Sequence, residues 1–324
     1  MGHHYVPRKY LKGFTDPSEP LGLWQFDKKT NSYSRVRASI AKIAQEPGYY
    51  DGEVESLLNE LVEIPGNRAL DQLRLGNFTL SEDDRLSLAT YMATMTHRVP
   101  VHRAKADKMG PDVLKDVTAR MRDEIRQCGR EKNILERLVE QRIAELDEIE
   151  TRMSESLPPE VQDSMYCPWP SARTIGLIYT MHWRFVHAAS DQKFVTSDNP
   201  VFYFEYYGLA RRESEITFPV SSELAIFGNW VPFRPDGEFV DDKKLVKEVN
   251  RRTVIGAHRF VFTRRREPWL GKVAKKDQTQ LNRINWGSTY APRTPKRRPS
   301  SVRQITEQRN IIQQRPIRDP SSGC

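Results

Sequence analysis

Two short stretches of this 324-residue chain gather groups that can transfer a proton, grip an anion or ligate a metal. The first is the opening decapeptide, Met1 to Tyr10 (MGHHYVPRKY), in which His3 and His4 stand ahead of Pro7 and Arg8. An imidazole titrates near neutrality, so His4 can take or give a proton or offer a ring nitrogen to a metal. Adjacent histidines after Met-Gly also resemble the stub of an affinity tag. A run of only two that flows into Tyr5, Val6 and Leu11 reads instead as part of a folded segment. The second stretch is Thr196 to Pro200 (TSDNP), wedged between two strand-like runs. Serine, aspartate and asparagine satisfy backbone groups in turns, and Pro200 holds Asn199 extended, so a strand-end turn accounts for the composition. The competing reading is that Asp198 and Asn199 project polar groups from the end of a buried strand, where a rigid scaffold fixes them.

The surrounding pattern predicts the elements that would hold such residues. Gly22 to Ala38 alternates apolar and polar residues around a Lys-Lys-Thr-Asn-Ser turn, a hairpin pattern. Glu53 to Leu75 has helical leucine spacing interrupted by Pro65-Gly66, which predicts two short helices or one kinked helix. Ser81, with Asp84 three residues on, offers an N-cap for a buried helix over Leu86 to Val99 that ends or bends near Pro100. Asp112 to Ser156 is charged and proline-free with one apolar stripe. It reads as a long amphipathic helix, or a helical hairpin broken near Gly129, packed on the body or on a second copy. Its spacing holds no clean heptad over three repeats, which argues against a coiled-coil dimer.

Pro158-Pro159 and Cys167 to Pro170 mark a linker, and Thr174 to His187 is expected to form a further apolar helix. From Lys193 the runs KFVTSDNPVFYFE, RESEITFPVS, ELAIFGNWVPF and HRFVFTRR read as strands, with helical spacing between Asp241 and Gly256. The expected architecture is α+β: a helical first two-thirds with an early hairpin, then a compact, mainly antiparallel sheet with one inserted helix. Residues 1–263 are expected to form a single domain carrying the helical insertion at about 112–156, and 264–324 a basic, disordered tail.

Charge is divided unevenly between these parts. Residues 264–324 hold 15 Lys and Arg against 4 Asp and Glu, a surplus of 11 that leaves −3 for residues 1–263 out of the total of +8. Nucleic acid is therefore an expected partner of the tail alone, through counterion release. No run approaches the roughly 18 apolar residues of a membrane span, so no membrane association is expected. The three cysteines, Cys128, Cys167 and Cys324, are scattered, which supports neither a disulfide framework nor a zinc knuckle and fits a cytoplasmic setting. Dinucleotide, P-loop, zinc-protease and nucleophile-elbow motifs are all missing. His97 and His102 are five apart, about 140° around a helix, and are not expected to share a ligand face; His182 and His187 repeat that separation on the next expected helix.

HHYVPRKYLKGF (His3 to Phe14), THRVP (Thr96 to Pro100), FVTSDNPV (Phe194 to Val201) and VNRRTVIGAHRFVFT (Val249 to Thr263) follow one another in this order. By these landmarks the chain resembles the uncharacterised family called Domain of unknown function 4238, over most of residues 3–263. The resemblance implies no assigned activity. It marks His4, Pro7, Tyr10, Arg98, Pro100, Ser197, Asp198, Asn199, Pro200, Asn250 and Arg259 as positions that match the family's pattern. Where members often carry Glu-Gly after the first helix, this chain has Pro65-Gly66, with Glu60 and Glu63 the nearest carboxylates.

Buried polar groups need partners or a ligand, and the marked residues bring imidazole, guanidinium, carboxylate and carboxamide from four separated segments. One expectation is a nuclease or phosphodiesterase. His4 would be base or metal ligand, Asp198 and Asn199 catalytic, and Asp198 a ligand of Mg²⁺ or Mn²⁺; Arg98 would fork onto the phosphate, with Tyr10, Ser197 and Asn250 contacting substrate. The other expectation is a non-enzymatic sensor or binding protein. There the same network pins the amino-terminal segment to the sheet, and the charged helix 112–156 is the partner surface, self-association included.

Overall fold

The computed structural model describes residues 2–50, 52–155, 166–188, 191–205, 207–232, 239–240 and 242–276. The chain divides into two compact units: the first joins Met1–Thr96 to Trp169–Cys324, and the second is the inserted segment His97–Pro168. The architecture is α+β, and the first unit carries two five-stranded sheets and one two-stranded pairing.

The first sheet has the order β11-β6-β10-β9-β8, from Phe239–Val240, His182–His187, Leu224–Asn229, Glu215–Pro219 and Phe202–Tyr203. All its pairings are antiparallel except β11 with β6. The second has the order β3-β2-β12-β7, from Ser32–Tyr33, Gly22–Asp27, Phe260–Thr263 and Thr196–Ser197, with β4 (Ala38–Ser39) paired to the start of β2. The early hairpin forms as expected, with Asn31 in the left-handed region (φ 52°) at its turn. It does not stand apart from the late strands, however: Trp24 lies opposite Thr263 and Phe26 opposite Val261. Sequence order and spatial order therefore differ, because the last strand fills the edge left open by the first hairpin.

Thr174 to His187 is not one helix. Helix α7 (Ala172–Thr180), capped by the Ser171 hydroxyl, ends at Met181, and β6 follows at once. Trp183, Phe185 and Val186 are buried, and six residues of β6 register with β10, so non-local pairing overrides the local helical spacing. His182 and His187 thus sit at the two ends of a strand. Glu53 to Leu75 is helical throughout: α2 (Gly52–Leu58), a π-helical turn (Asn59–Glu63), then α3 (Ile64–Arg74). The widened turn places Pro65 in the first turn of α3, where its missing N–H costs little. Gly66 then packs on α4 (Glu82–His97), where a Cβ would stand 2.3 Å from the Tyr91 ring. The expected N-cap of α4 is present: Ser81 Oγ accepts from Asp84 N–H at 3.1 Å and donates to its carboxylate at 2.7 Å.

The body also extends past the expected boundary at 263. The Arg266 guanidinium lies 4.1 Å from the Trp24 ring centroid, and Leu270, which opens helix α9 (Leu270–Ala274), is buried. Residues from 277 onward, with most of the expected tail, lie outside the described residues, as does the Pro158-Pro159 linker.

The second unit is a helical hairpin of α5 (Pro100–Glu131) and α6 (Glu136–Glu155). Val99 is extended and Pro100 opens α5, as its fixed φ favours. The break falls beyond Gly129. Asn133 adopts φ 54°, with Ile134 N–H donating to Gly129 carbonyl and Asn133 N–H to Arg130 carbonyl, a Schellman stop. Gly129 stays helical for another reason: a Cβ there would stand 2.6 Å from a Val139 methyl on the facing helix.

Two glycine replacements separate helix propensity from packing. Gly176→Ala in α7, where nothing lies within 4 Å of the added Cβ, is expected to stabilise by up to about 1 kcal/mol. Gly66→Ala is expected to destabilise by about 1–3 kcal/mol through overpacking on Tyr91. Urea unfolding of both variants measures the difference in sign.

Candidate functional site

The TSDNP segment is short, but almost every polar group in it is committed to holding other backbone. Asp198 is 1 % exposed. Its Oδ1 accepts from His258 N–H at 2.8 Å, and its Oδ2 from Arg259 and Phe260 N–H, both at 2.7 Å. These amides form the bend between α8 (Lys243–Gly256) and β12. The Asn199 carboxamide donates to Gly256 carbonyl at 2.8 Å, satisfying an acceptor that the end of α8 leaves open. Ser197 Oγ accepts from Asn199 N–H at 3.1 Å and donates to its carbonyl at 2.8 Å, closing the turn on itself. From within α8, Asn250 receives Val195 N–H at 3.0 Å and donates to Lys193 carbonyl at 2.9 Å.

The opening motif reaches the same place from the other side. Tyr10, in α1 (Arg8–Leu11), is fully buried; its hydroxyl donates to Pro219 carbonyl at 2.8 Å and so accepts from the Thr196 hydroxyl, also at 2.8 Å. One phenol therefore ties α1 to a strand of each sheet. Arg74 supports it, donating to Val220 carbonyl at 2.9 Å and Tyr10 carbonyl at 3.1 Å. Upstream, β1 (Gly2–His4) pairs with β5 (Gln45–Pro47), and His3 Nδ1 accepts from Tyr50 N–H at 3.1 Å. Burial pushes the Tyr5 phenol up, and the nearby Asp198 charge adds to the shift. Burial likewise pushes the Asp198 carboxyl above the ordinary carboxylate range, against the three amides that pull it down. Lys28 is shifted down by burial, with Asp198 opposing the shift, and its ammonium donates to Ile255 and Ala257 carbonyls at 3.0 and 2.6 Å.

The structure thus brings the two motifs together, through Tyr5 and Tyr10. His4 lies half-buried in β1, opposite Gln45. Arg98 belongs to the second unit, in the corner between α4 and α5. Asp198, Asn199, Ser197, Asn250 and Tyr10, the expected catalytic or substrate-contacting groups, are each engaged with backbone by these contacts. Three of the roughly four lone-pair directions of the Asp198 carboxylate are taken by these amides. Among the described residues no three His, Cys, Asp or Glu side chains are grouped to hold a metal. His97 and His102 do not share one helix: the chain turns at Val99 between them, and their rings approach to 4.9 Å between centroids.

Sequence reasoning also missed a buried ion cluster. Arg252, 0 % exposed, lies 2.5 Å from Glu215 and 3.2 Å from Glu248, and 4.9 Å from the Phe204 ring centroid. Its only sequence signal is a charge at a helical position flanked by apolar residues. Arg259 forms a two-contact pair with Asp27 at 2.8 and 3.1 Å, and hydrogen bonding to it pulls the Asp27 carboxyl below its ordinary value. Nearby, a cavity of about 480 Å³ is lined by Asp191, Lys247, Arg251, Arg265 and Trp269 among others, and by none of the candidate site residues.

Fold and site together define an α+β protein with an inserted helical hairpin, in which Ser197, Asp198, Asn199 and Asn250 bond backbone groups around the entry and exit of β7 and α8. The family described as "Protein of unknown function (DUF4238)" matches residues 2–267, and the chain belongs to it. The match includes Arg264 to Glu267, in keeping with the contact of Arg266 with Trp24 of β2. No curated protein and no solved structure matched.

Removing the clamp carries a measurable cost. Asp198→Asn keeps the shape but faces backbone donors with an NH₂ group, and is expected to lose about 3 kcal/mol or more in urea unfolding. Asp27→Asn addresses the Arg259 pair. Because the folded Asp27 pKa is depressed, the wild-type advantage is full above the ordinary aspartate value of about 3.9 and vanishes as pH falls through the folded value. Half-exposure of Arg259 keeps that advantage below about 1 kcal/mol, read from stability–pH curves of both proteins.

Proposed function

We propose that this is a non-enzymatic binding protein, in which the family's polar motifs are a folding device and the inserted hairpin presents the partner surface. The observation that carries this reading is the state of Asp198: 1 % exposed, with both oxygens bonded to three consecutive backbone amides. A general base needs a free lone pair within reach of substrate, and a metal ligand needs one aimed at the ion. The same commitment of Asn199, Asn250 and Tyr10 to backbone supports a latch in place of a reaction centre. The hairpin supports the other half of the reading, since it carries much of the exposed apolar side-chain surface among the described residues.

The test is direct. The full chain is incubated with single- and double-stranded DNA and with RNA, in Mg²⁺ and in Mn²⁺, beside His4→Ala and Asp198→Asn. The expected result is no cleavage above a protein-free blank, with Asp198→Asn lowering the unfolding midpoint. Metal-dependent cleavage that both substitutions abolish while circular dichroism stays native would overturn the reading.

A further inference from the structure

The hairpin has two unlike flanks, and the contacts between its arms say which is which. Thr118 donates to Glu150 at 2.7 Å and Arg122 pairs with Asp147 at 2.7 Å, so the helices run antiparallel in a fixed register. In that register Leu114, Thr118, Met121, Ile125 and Cys128 face Val139, Ile143, Leu146, Glu150 and Met153. Both sets step by four, three, four and three, the spacing of a coiled-coil seam. The apolar stripe therefore meets its partner within the chain.

To one side of the seam lie Lys115, Arg122 and Asp147, a charged flank. Helical geometry puts Val113 and Val117 of α5, and Leu138 and Ile149 of α6, on the opposite flank, and Leu135 lies just ahead of α6. These five are 39–62 % exposed, and Met121, although in the seam, is 43 % exposed, so the seam is open on this side. With Ile134 they make up seven of the eleven large apolar side chains that are exposed among the described residues, which concentrates such surface here. Near the turn the flank sinks into a cavity of about 650 Å³, walled by Ile125, Cys128, Ile134, Leu138 and Val139.

We propose that this flank is a self-association surface, on which the hairpin of a second copy docks to complete a four-helix bundle. The inference rests on reading the hairpin as the partner surface, and commits that surface to one partner. Three features favour a copy of the same chain. The flank exposes on the order of 500 Å² of apolar side chain, so two copies bury about the 1,000 Å² that a specific interface requires. Its charges are balanced: Arg142 and Glu145 pair with each other at 2.5 Å on α6, and Arg120 and Glu124 are one turn apart on α5, so no like-charge block faces its own image. The third feature is the layout of the flank, with exposed apolar side chains toward one end and a cavity toward the other. A two-fold axis across the hairpin brings Val113, Val117 and Ile149 of one copy against the Ile134–Leu138 cavity of the other, and the reverse, as an isologous dimer requires.

The experiment is the mass of the full chain in solution by sedimentation equilibrium, over roughly 1–100 μM, a range that brackets micromolar affinity. The expected result is twice the 37.7 kDa chain mass at the upper end. Val117→Glu with Ile149→Glu places four charges in the interface and is expected to weaken dimerisation at least roughly 100-fold. Both sites are exposed in the chain itself, so native circular dichroism is expected. Ala144→Glu, exposed on the other side of α6, is expected to leave the dimer intact. A monomer throughout the range, or a dimer indifferent to the double substitution, would overturn the proposal without touching the non-enzymatic reading. Cleavage activity would overturn that reading without changing the mass.

Discussion

The Asp198 carboxylate is the contact on which the arrangement of the first unit turns. Three consecutive amides, from His258 to Phe260, run from the exit of α8 to the first residue of β12, and all three donate to this one side chain in place of a regular ladder. A buried carboxylate answers all three at once, and in doing so fixes the angle at which β12 leaves α8. Because β12 is also the strand that receives β2, the position of the early hairpin depends on the same bend. The amides in turn make the burial of the charge tolerable, since an ionised group in an apolar interior persists only when its acceptor capacity is used.

Around this centre, polar side chains do work that secondary structure leaves undone. Tyr10 joins both sheets to α1, Asn250 holds the strand entering β7, and Asn199 closes the exit of α8. Arg252 fills the interior side of α8 with a guanidinium between two carboxylates, its plane near aromatic rings. Such a pair contributes little net stability compared with apolar packing, but removal of one partner is costly, which makes it a device for a single arrangement. The helix is thereby held by directed bonds on both faces.

The hairpin follows different rules. Its arms meet through a narrow seam and are locked in register by the Arg122 and Thr118 contacts. A left-handed asparagine sets the turn. Two helices alone cannot enclose a seam, and the side away from the Arg122–Asp147 contact is the side left open.

The sequence by itself determined the elements whose causes are local. The Ser81 cap, the hairpin turn, the α8 periodicity, the helix end before Pro100 and the α+β class all follow from residue type and spacing over a few positions. It also marked, through the family's landmarks, which polar residues gather. What those residues do was decided by tertiary structure, because the partners of Asp198 are sixty residues away and are backbone groups that have no signature of their own. The fate of His182 to His187 was settled the same way: a run with helical spacing became a strand because β10 offered it six partners. The stop beyond Gly129 and the continuation of the body past Thr263 likewise depended on a facing Val139 and a waiting Trp24. Local composition sets what a segment is able to form, whereas long-range contacts choose among those forms, since only the folded chain supplies the second half of each bond.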